Sequence, residues 1–89
     1  MAKKRRKLNK DFEKKIYSTK KNVELVLAKI YDIDDEDIQK EYMSAFNGVV
    51  FSYDELKEDY ETQGFNDNSE SLLVNYKKAF NLFESEFEI

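Results

Sequence analysis

Proline is absent from this sequence, and glycine occurs only twice, at Gly48 and Gly64. Small barrels and sandwiches turn roughly every 8–12 residues, and their turns rely on these two residue types. A chain that can punctuate itself so rarely is best read as helical. Its apolar residues agree. Phe12, Ile16, Val23, Val26, Leu27 and Ile30 lie within about 60° of one stripe at 100° per residue. That spacing predicts a helix over 9–31, with Asn9 as N-cap and Asp11 and Glu13 suiting the positive first turn.

Three further helices are expected. "DEDIQKEYMSAF" predicts one over 35–46, capped by Asp34 and stopped by Asn47-Gly48, with Ile38, Tyr42, Ala45 and Phe46 inward. "VVF" at 49–51 then reads as a connector or short strand. Ser52 with Glu55 matches a capping box and predicts a helix from Ser52 to Gly64, with Tyr53, Leu56 and Tyr60 inward. After the turn "FNDNSES", a helix over 70–86 carries Leu72, Leu73, Tyr76, Ala79, Phe80, Phe83 and Phe87 on one face. The fold class is therefore all-α: a small bundle of about four amphipathic helices behind a disordered basic N-terminal arm. The alternative is an α+β fold with a minimal sheet formed by residues 48–52 and the terminal "FEI". With 89 residues the chain has room for one core, so the expected organisation is an arm, 1–8, and a single helical domain, 9–89.

Composition excludes much chemistry. There is no cysteine and no histidine, which removes disulfides, thiolate or imidazole metal sites, and Ser–His or Cys nucleophilic catalysis. "DIDDED" at 32–37 resembles the start of a calcium loop, but positions six and twelve are Asp37 and Met43 where an EF-hand needs glycine and glutamate. No phosphate-cradling glycine loop or nucleophile elbow occurs. The expectation is a non-enzyme with no cofactor and no metal. No apolar run approaches the roughly 18 residues of a membrane span, and no signal-peptide core follows the basic start, so a cytoplasmic location is expected.

Charge is the remaining signal. Residues 1–30 hold eleven basic and three acidic side chains, a net of +8; residues 31–89 hold four basic and sixteen acidic, a net of −12. Lys3, Lys4, Arg5, Arg6 and Lys7 form a candidate polyanion-binding arm, suited to RNA or DNA phosphate and lacking aromatics for base stacking. Asp54, Glu55, Glu58, Asp59 and Glu61 form a candidate acidic face interrupted only by Lys57, and Asp34 and Asp35 belong to a second acidic cluster. A solvated helix face usually mixes signs, whereas concentrated like charge repels itself and suits a basic partner.

"SAFNG" at 44–48 followed by "SYDELKEDYETQ" at 52–63 resembles a segment of small phage-encoded anti-CRISPR proteins that inhibit Cas9. In that family a comparable helix end precedes a Tyr- and acid-rich helix. The resemblance implies a phage protein acting in the host cytoplasm as a DNA mimic. Asp54, Glu55, Glu58, Asp59 and Glu61 would occupy the PAM-reading cleft of the guide-loaded nuclease, with Tyr60 as an edge contact. Two other functions fit the residues: a nucleic-acid-binding accessory protein using the arm, and a helical interaction or immunity module, monomeric or homodimeric, anchored by Tyr17, Tyr31 and Phe65.

Overall fold

The computed structural model describes residues 7–87, and it is all-α over that range. Three helices follow one another: α1, Lys10–Tyr31; α2, Glu36–Gln63; α3, Ser69–Glu86. Each begins or ends as its local chemistry requires. The Asn9 side chain accepts from Phe12 N at 3.0 Å, capping α1. Asp35, rather than Asp34, caps α2 by accepting from Asp37 N and Ile38 N. Gln39 reaches back to donate to the Ile30 and Tyr31 carbonyls in the last turn of α1, of which Ile30 also accepts from Ile33 N. Gly64 ends α2 at φ 72°, a conformation that side chains disfavour.

The fourth helix is the main correction. The segments 35–46 and 52–64 belong to one 28-residue helix that runs through Asn47, Gly48 and Val49-Val50-Phe51. Ser52 lies inside it, so the predicted capping box does not start a helix. The sheet alternative fails as well, because 48–52 are helical and no strand occurs among the described residues. The energetics favour continuity. A glycine inside a helix costs only about 1 kcal/mol. Burying a large apolar side chain is worth roughly 1.5–3 kcal/mol, and the unbroken helix buries Phe46, Val49 and Tyr53 on one side.

All three helices share one inward pattern, with steps alternating between four and three residues. On α1 it is Phe12, Ile16, Thr19, Val23, Val26 and Ile30. On α2 it is Tyr42, Phe46, Val49, Tyr53, Leu56 and Tyr60, and on α3 Ser69, Leu73, Tyr76, Phe80, Phe83 and Phe87. Steps alternating between four and three residues are the seam of helices packed side by side at shallow angles. Short connections at 32–35 and 64–68 make successive helices antiparallel, and α2 packs against both neighbours. The result is an up-down-up bundle, 56 Å long and about 20 Å thick. Ile38 and Ala45, expected inside, are exposed: Ala45 sits at the margin of the stripe through Tyr42, Phe46 and Val49, and Ile38, though in line with that stripe, lies in the first turn of α2 at the end of the bundle.

The core has two parts. Val23, Val26, Ile30, Phe46, Val49, Tyr53, Tyr76 and Phe83 form one cluster; Phe12, Leu56, Tyr60 and Leu73 form the other. Near their junction Tyr76 donates its hydroxyl to the Thr19 carbonyl at 3.4 Å, and buried Thr19 donates to the Ile16 carbonyl at 2.6 Å. These bonds satisfy polar atoms that would otherwise weaken the core.

Lys7 and Leu8, assigned to the arm from sequence, have a defined place. Phe65 N donates to the Lys7 carbonyl at 2.6 Å, and Lys7 forms a parallel bridge with Gly64. The rest of the predicted arm, residues 1–6, lies outside the described residues.

Candidate functional site

The C-terminal half of α2 is fixed on two sides before its acids are considered. Tyr53, Leu56 and Tyr60 are buried. The Tyr60 hydroxyl donates to Glu13 Oε2 at 2.5 Å and accepts from Asn9 N at 3.0 Å, tying α2 to the start of α1. The turn after Gly64 is held by Asn66, whose side chain donates to Asp59 Oδ2 at 2.8 Å and to the Gly64 carbonyl at 2.9 Å. Ser69 accepts from Asn66 N, and the Asn66 side chain accepts from Asn68 N, which fastens α3 to the same turn.

On this frame, Glu61, Asp54, Glu58, Glu55 and Asp59 succeed one another across about 160° of the helix at 100° per residue. Phe51 stands between Glu58 and Glu55 in that order, and it is 63% exposed. Asp54, Glu55, Glu58 and Glu61 are exposed, whereas Asp59 is half-buried on Asn66 and serves the turn. Toward α3 a shallow groove is lined by Phe51, Glu55, Glu58, Asp59, Leu72 and Asn75. Toward α1 a narrower one mixes signs, with Glu13, Lys20, Lys57 and Glu61 around Tyr17, Tyr53 and Tyr60.

The five carboxylates lie on seven helical steps, about 10 Å of axis, or roughly one charge per 2 Å. Duplex DNA carries about one per 1.7 Å. Counting Lys57 against them still leaves a density of that order. The field reaches inward too: burial first, then Asp54, Glu24 and Glu61, pushes the Tyr53 hydroxyl pKa above its ordinary value of 10.0.

Several expected contributors sit elsewhere. Asp34 and Asp35 are at the opposite end of α2, with Asp35 and Asp54 nineteen residues apart, about 28 Å along the axis. One continuous helix separates the two acidic clusters instead of gathering them. Tyr60 is 9% exposed and committed to Glu13 and Asn9, so it offers no edge to a partner. Phe65 is half-buried with its ring edge against Phe12 at 5.1 Å, while Tyr17 and Tyr31 are 57% and 67% exposed. Phe51, by contrast, is an exposed aromatic on the acidic face. Reading "VVF" as a connector concealed it; the unbroken four-three spacing through Val49 is the signal that reveals it.

The basic residues occupy another surface. Lys10, Lys14 and Lys21 are exposed on the outer side of α1, and the Lys21 ammonium lies over the Tyr17 ring, 5.4 Å from its centroid. Lys7 is exposed at the bundle end. Lys3, Lys4, Arg5 and Arg6 lie outside the described residues. Among the described residues, no group of three or more acidic side chains is placed to hold a metal ion, and no helix is long and apolar enough to cross a membrane.

No protein-family model matches the chain, and no curated protein or solved structure gives a significant match to it.

Proposed function

We propose that the protein is a non-enzymatic inhibitor from a phage or other mobile element, whose acidic α2 face occupies the basic groove of a host nucleic-acid-binding protein. The observation that carries the proposal is the concentration of exposed Asp54, Glu55, Glu58 and Glu61 on one face of a helix, about one charge per 2.6 Å of axis, where duplex DNA carries about one per 1.7 Å. Fixed carboxylates can meet the Arg and Lys side chains that clamp phosphate or read guanine edges. Exposed Phe51 beside them supplies an apolar anchor of the kind that concentrates binding energy. The resemblance of residues 44–63 to Cas9 inhibitors makes a guide-loaded CRISPR nuclease the first target to test.

The test is inhibition of target cleavage by the full chain and by a Glu55→Lys/Glu58→Lys variant. The variant is expected to lose about a hundredfold in potency, at roughly 1.4 kcal/mol per reversed charge, with its helical circular dichroism unchanged. Equal potency of the two proteins would sink the acidic-face mechanism.

A second reading is favoured by the exposed Lys10, Lys14 and Lys21 on the outer side of α1, which extend the basic sequence from Lys3 to Lys7. It makes the protein a nucleic-acid-binding accessory. Reversing Lys14 and Lys21 to Glu should then abolish RNA or DNA retention, whereas the inhibitor reading has these changes leave inhibition intact.

A further inference from the structure

α1 and α3 each pack against α2 and hardly against each other. Both run the same way through the bundle, so the space between them is a trough with parallel walls. One half lies between residues 15–22 and 73–81, the other between residues 22–29 and 80–87. Asn22 and Phe80 line both halves and make them continuous. The fourteen helical steps from Lys15 to Lys29 give a length of about 21 Å, or about four turns of helix.

Floor and rims differ in chemistry. Phe80 and Phe87 lie half-buried between the helices, and Leu25 stands 57% exposed above them. Beneath, the Tyr76 hydroxyl donates to the Thr19 carbonyl and joins the two walls. Lys15, Lys29 and Lys77 are exposed along the rims, and Glu84 is the one acid among the described residues that line the trough. An apolar floor between basic rims matches a helix with one apolar face and acidic flanks. Two other occupants match less well. Nucleic-acid phosphate would pair with the lysines and leave Leu25 uncovered, while Phe80 and Phe87 already pack against Tyr76 and Phe83 and are not set out as a base-stacking platform. A second copy meeting trough to trough would bring the same excess of lysine face to face, which like charge opposes.

We propose that the trough between α1 and α3 is a docking site for an acidic amphipathic helix of another protein, which lies between them as the fourth member of the bundle. The site is across the bundle from the outer face of α2 and does not rest on the function proposed above.

The probe is a synthetic peptide of about 14 residues, stapled to hold a helix, with leucine along one face and glutamate on the rest. Added to the isotope-labelled full chain, it should shift amide NMR signals of residues 15–29 and 73–87 and leave those of 51–61 in place. Reversing two exposed rim charges, Lys29→Glu/Lys77→Glu, should weaken binding about tenfold with helical circular dichroism unchanged. Leu25→Ala should weaken it about fivefold through lost apolar contact. Glu55→Lys/Glu58→Lys should leave peptide binding intact while losing nuclease inhibition, so the two sites fail separately. Absence of shifts, shifts centred on other residues, or equal binding of a peptide with lysine in place of glutamate overturns the proposal. So does a DNA duplex that shifts the same signals and displaces the peptide, which assigns the trough to nucleic acid. Shifts of the same signals with protein concentration alone, abolished by Glu55→Lys/Glu58→Lys, would assign it to a second copy and overturn it too.

Discussion

The two ends of the bundle are closed by different physics. At one end Tyr42, Phe46, Phe80, Phe83 and Phe87 pack ring against ring, with Phe46 and Phe83 edge to face at 4.8 Å, Tyr42 and Phe87 edge to face at 4.8 Å, and Phe83 and Phe87 stacked at 5.2 Å. At the other a smaller cluster of Phe12, Leu56, Tyr60 and Leu73 is supplemented by hydrogen bonds through Tyr60, Asn66, Ser69 and the Lys7 carbonyl. Ring packing supplies buried area with modest directional demand, whereas hydrogen bonds fix relative position. The acidic face belongs to the hydrogen-bonded end. Its carboxylates are thus held on a frame whose turn, cap and neighbouring helix are all tied to one another.

The largest effect separating the ends should come from Phe46→Ala. Phe46 is fully buried, and its truncation is expected to cost about 3–5 kcal/mol. Native stabilities start at about 5 kcal/mol, so for a chain this small much of the fold is at stake. Urea denaturation followed by circular dichroism measures it. A loss below 1 kcal/mol would mean that the aromatic end is not where stability resides.

Alkaline pH probes the junction between the ends. Burial, then Glu84 and Tyr53, raises the Tyr76 hydroxyl pKa from 10.0 to about 12, and Tyr53 is shifted the same way. Because the folded pKa lies above the unfolded one, the neutral hydroxyl's contribution is intact below pH 10 and is lost as pH rises from 10 toward 12. Thermal melts at pH 9, 10.5 and 11.5 should therefore show a falling Tm, and Tyr76→Phe should flatten that fall. A profile unchanged by Tyr76→Phe would contradict this assignment.

Tyr60→Phe removes the hydroxyl joining Glu13 and Asn9 while leaving the ring in the core. It should cost about 0.5–1.5 kcal/mol, the net worth of a typical hydrogen bond, since exposed Glu13 and half-buried Asn9 can turn to water instead. Its sharper signature is local: faster amide exchange at Asn9 and in the first turn of α1, with the aromatic end unaffected. Uniform exchange throughout the bundle would erase the distinction between the ends.

The smallest effect is a gain. Gly48 lies inside α2 with open space around the position a Cβ would take. Gly48→Ala should stabilise the fold by about 0.5–1 kcal/mol through helix propensity alone. Destabilisation would contradict the reading of Gly48 as an ordinary interior position of α2.

Much of this was legible in the sequence, and what was not had a physical cause. Asn9 and Gly64 mark their helix ends because capping is local chemistry, complete within four residues. Asn47-Gly48 carries the same kind of local signal, yet the helix continues, because burial of Phe46, Val49 and Tyr53 on one stripe outweighs a propensity penalty. Thr19 and Ser69 were invisible as core positions because their residue types are polar; only the four-three spacing places them inside. The acidic residues from Asp54 to Glu61 were recognisable by composition. Their separation from Asp34 and Asp35, and the commitment of Asp59 to Asn66, depend on the length of α2 and the shape of the following turn.

The most direct measurement is displacement of fluorescent duplex DNA from the guide-loaded nuclease by increasing amounts of the full chain, repeated with Glu55→Lys/Glu58→Lys at low and high salt. The account predicts that the native chain displaces DNA, that displacement weakens as salt rises, and that the variant fails at concentrations where it is still fully helical. Failure of the native chain to displace DNA at low salt, or equal displacement by both proteins, would contradict it.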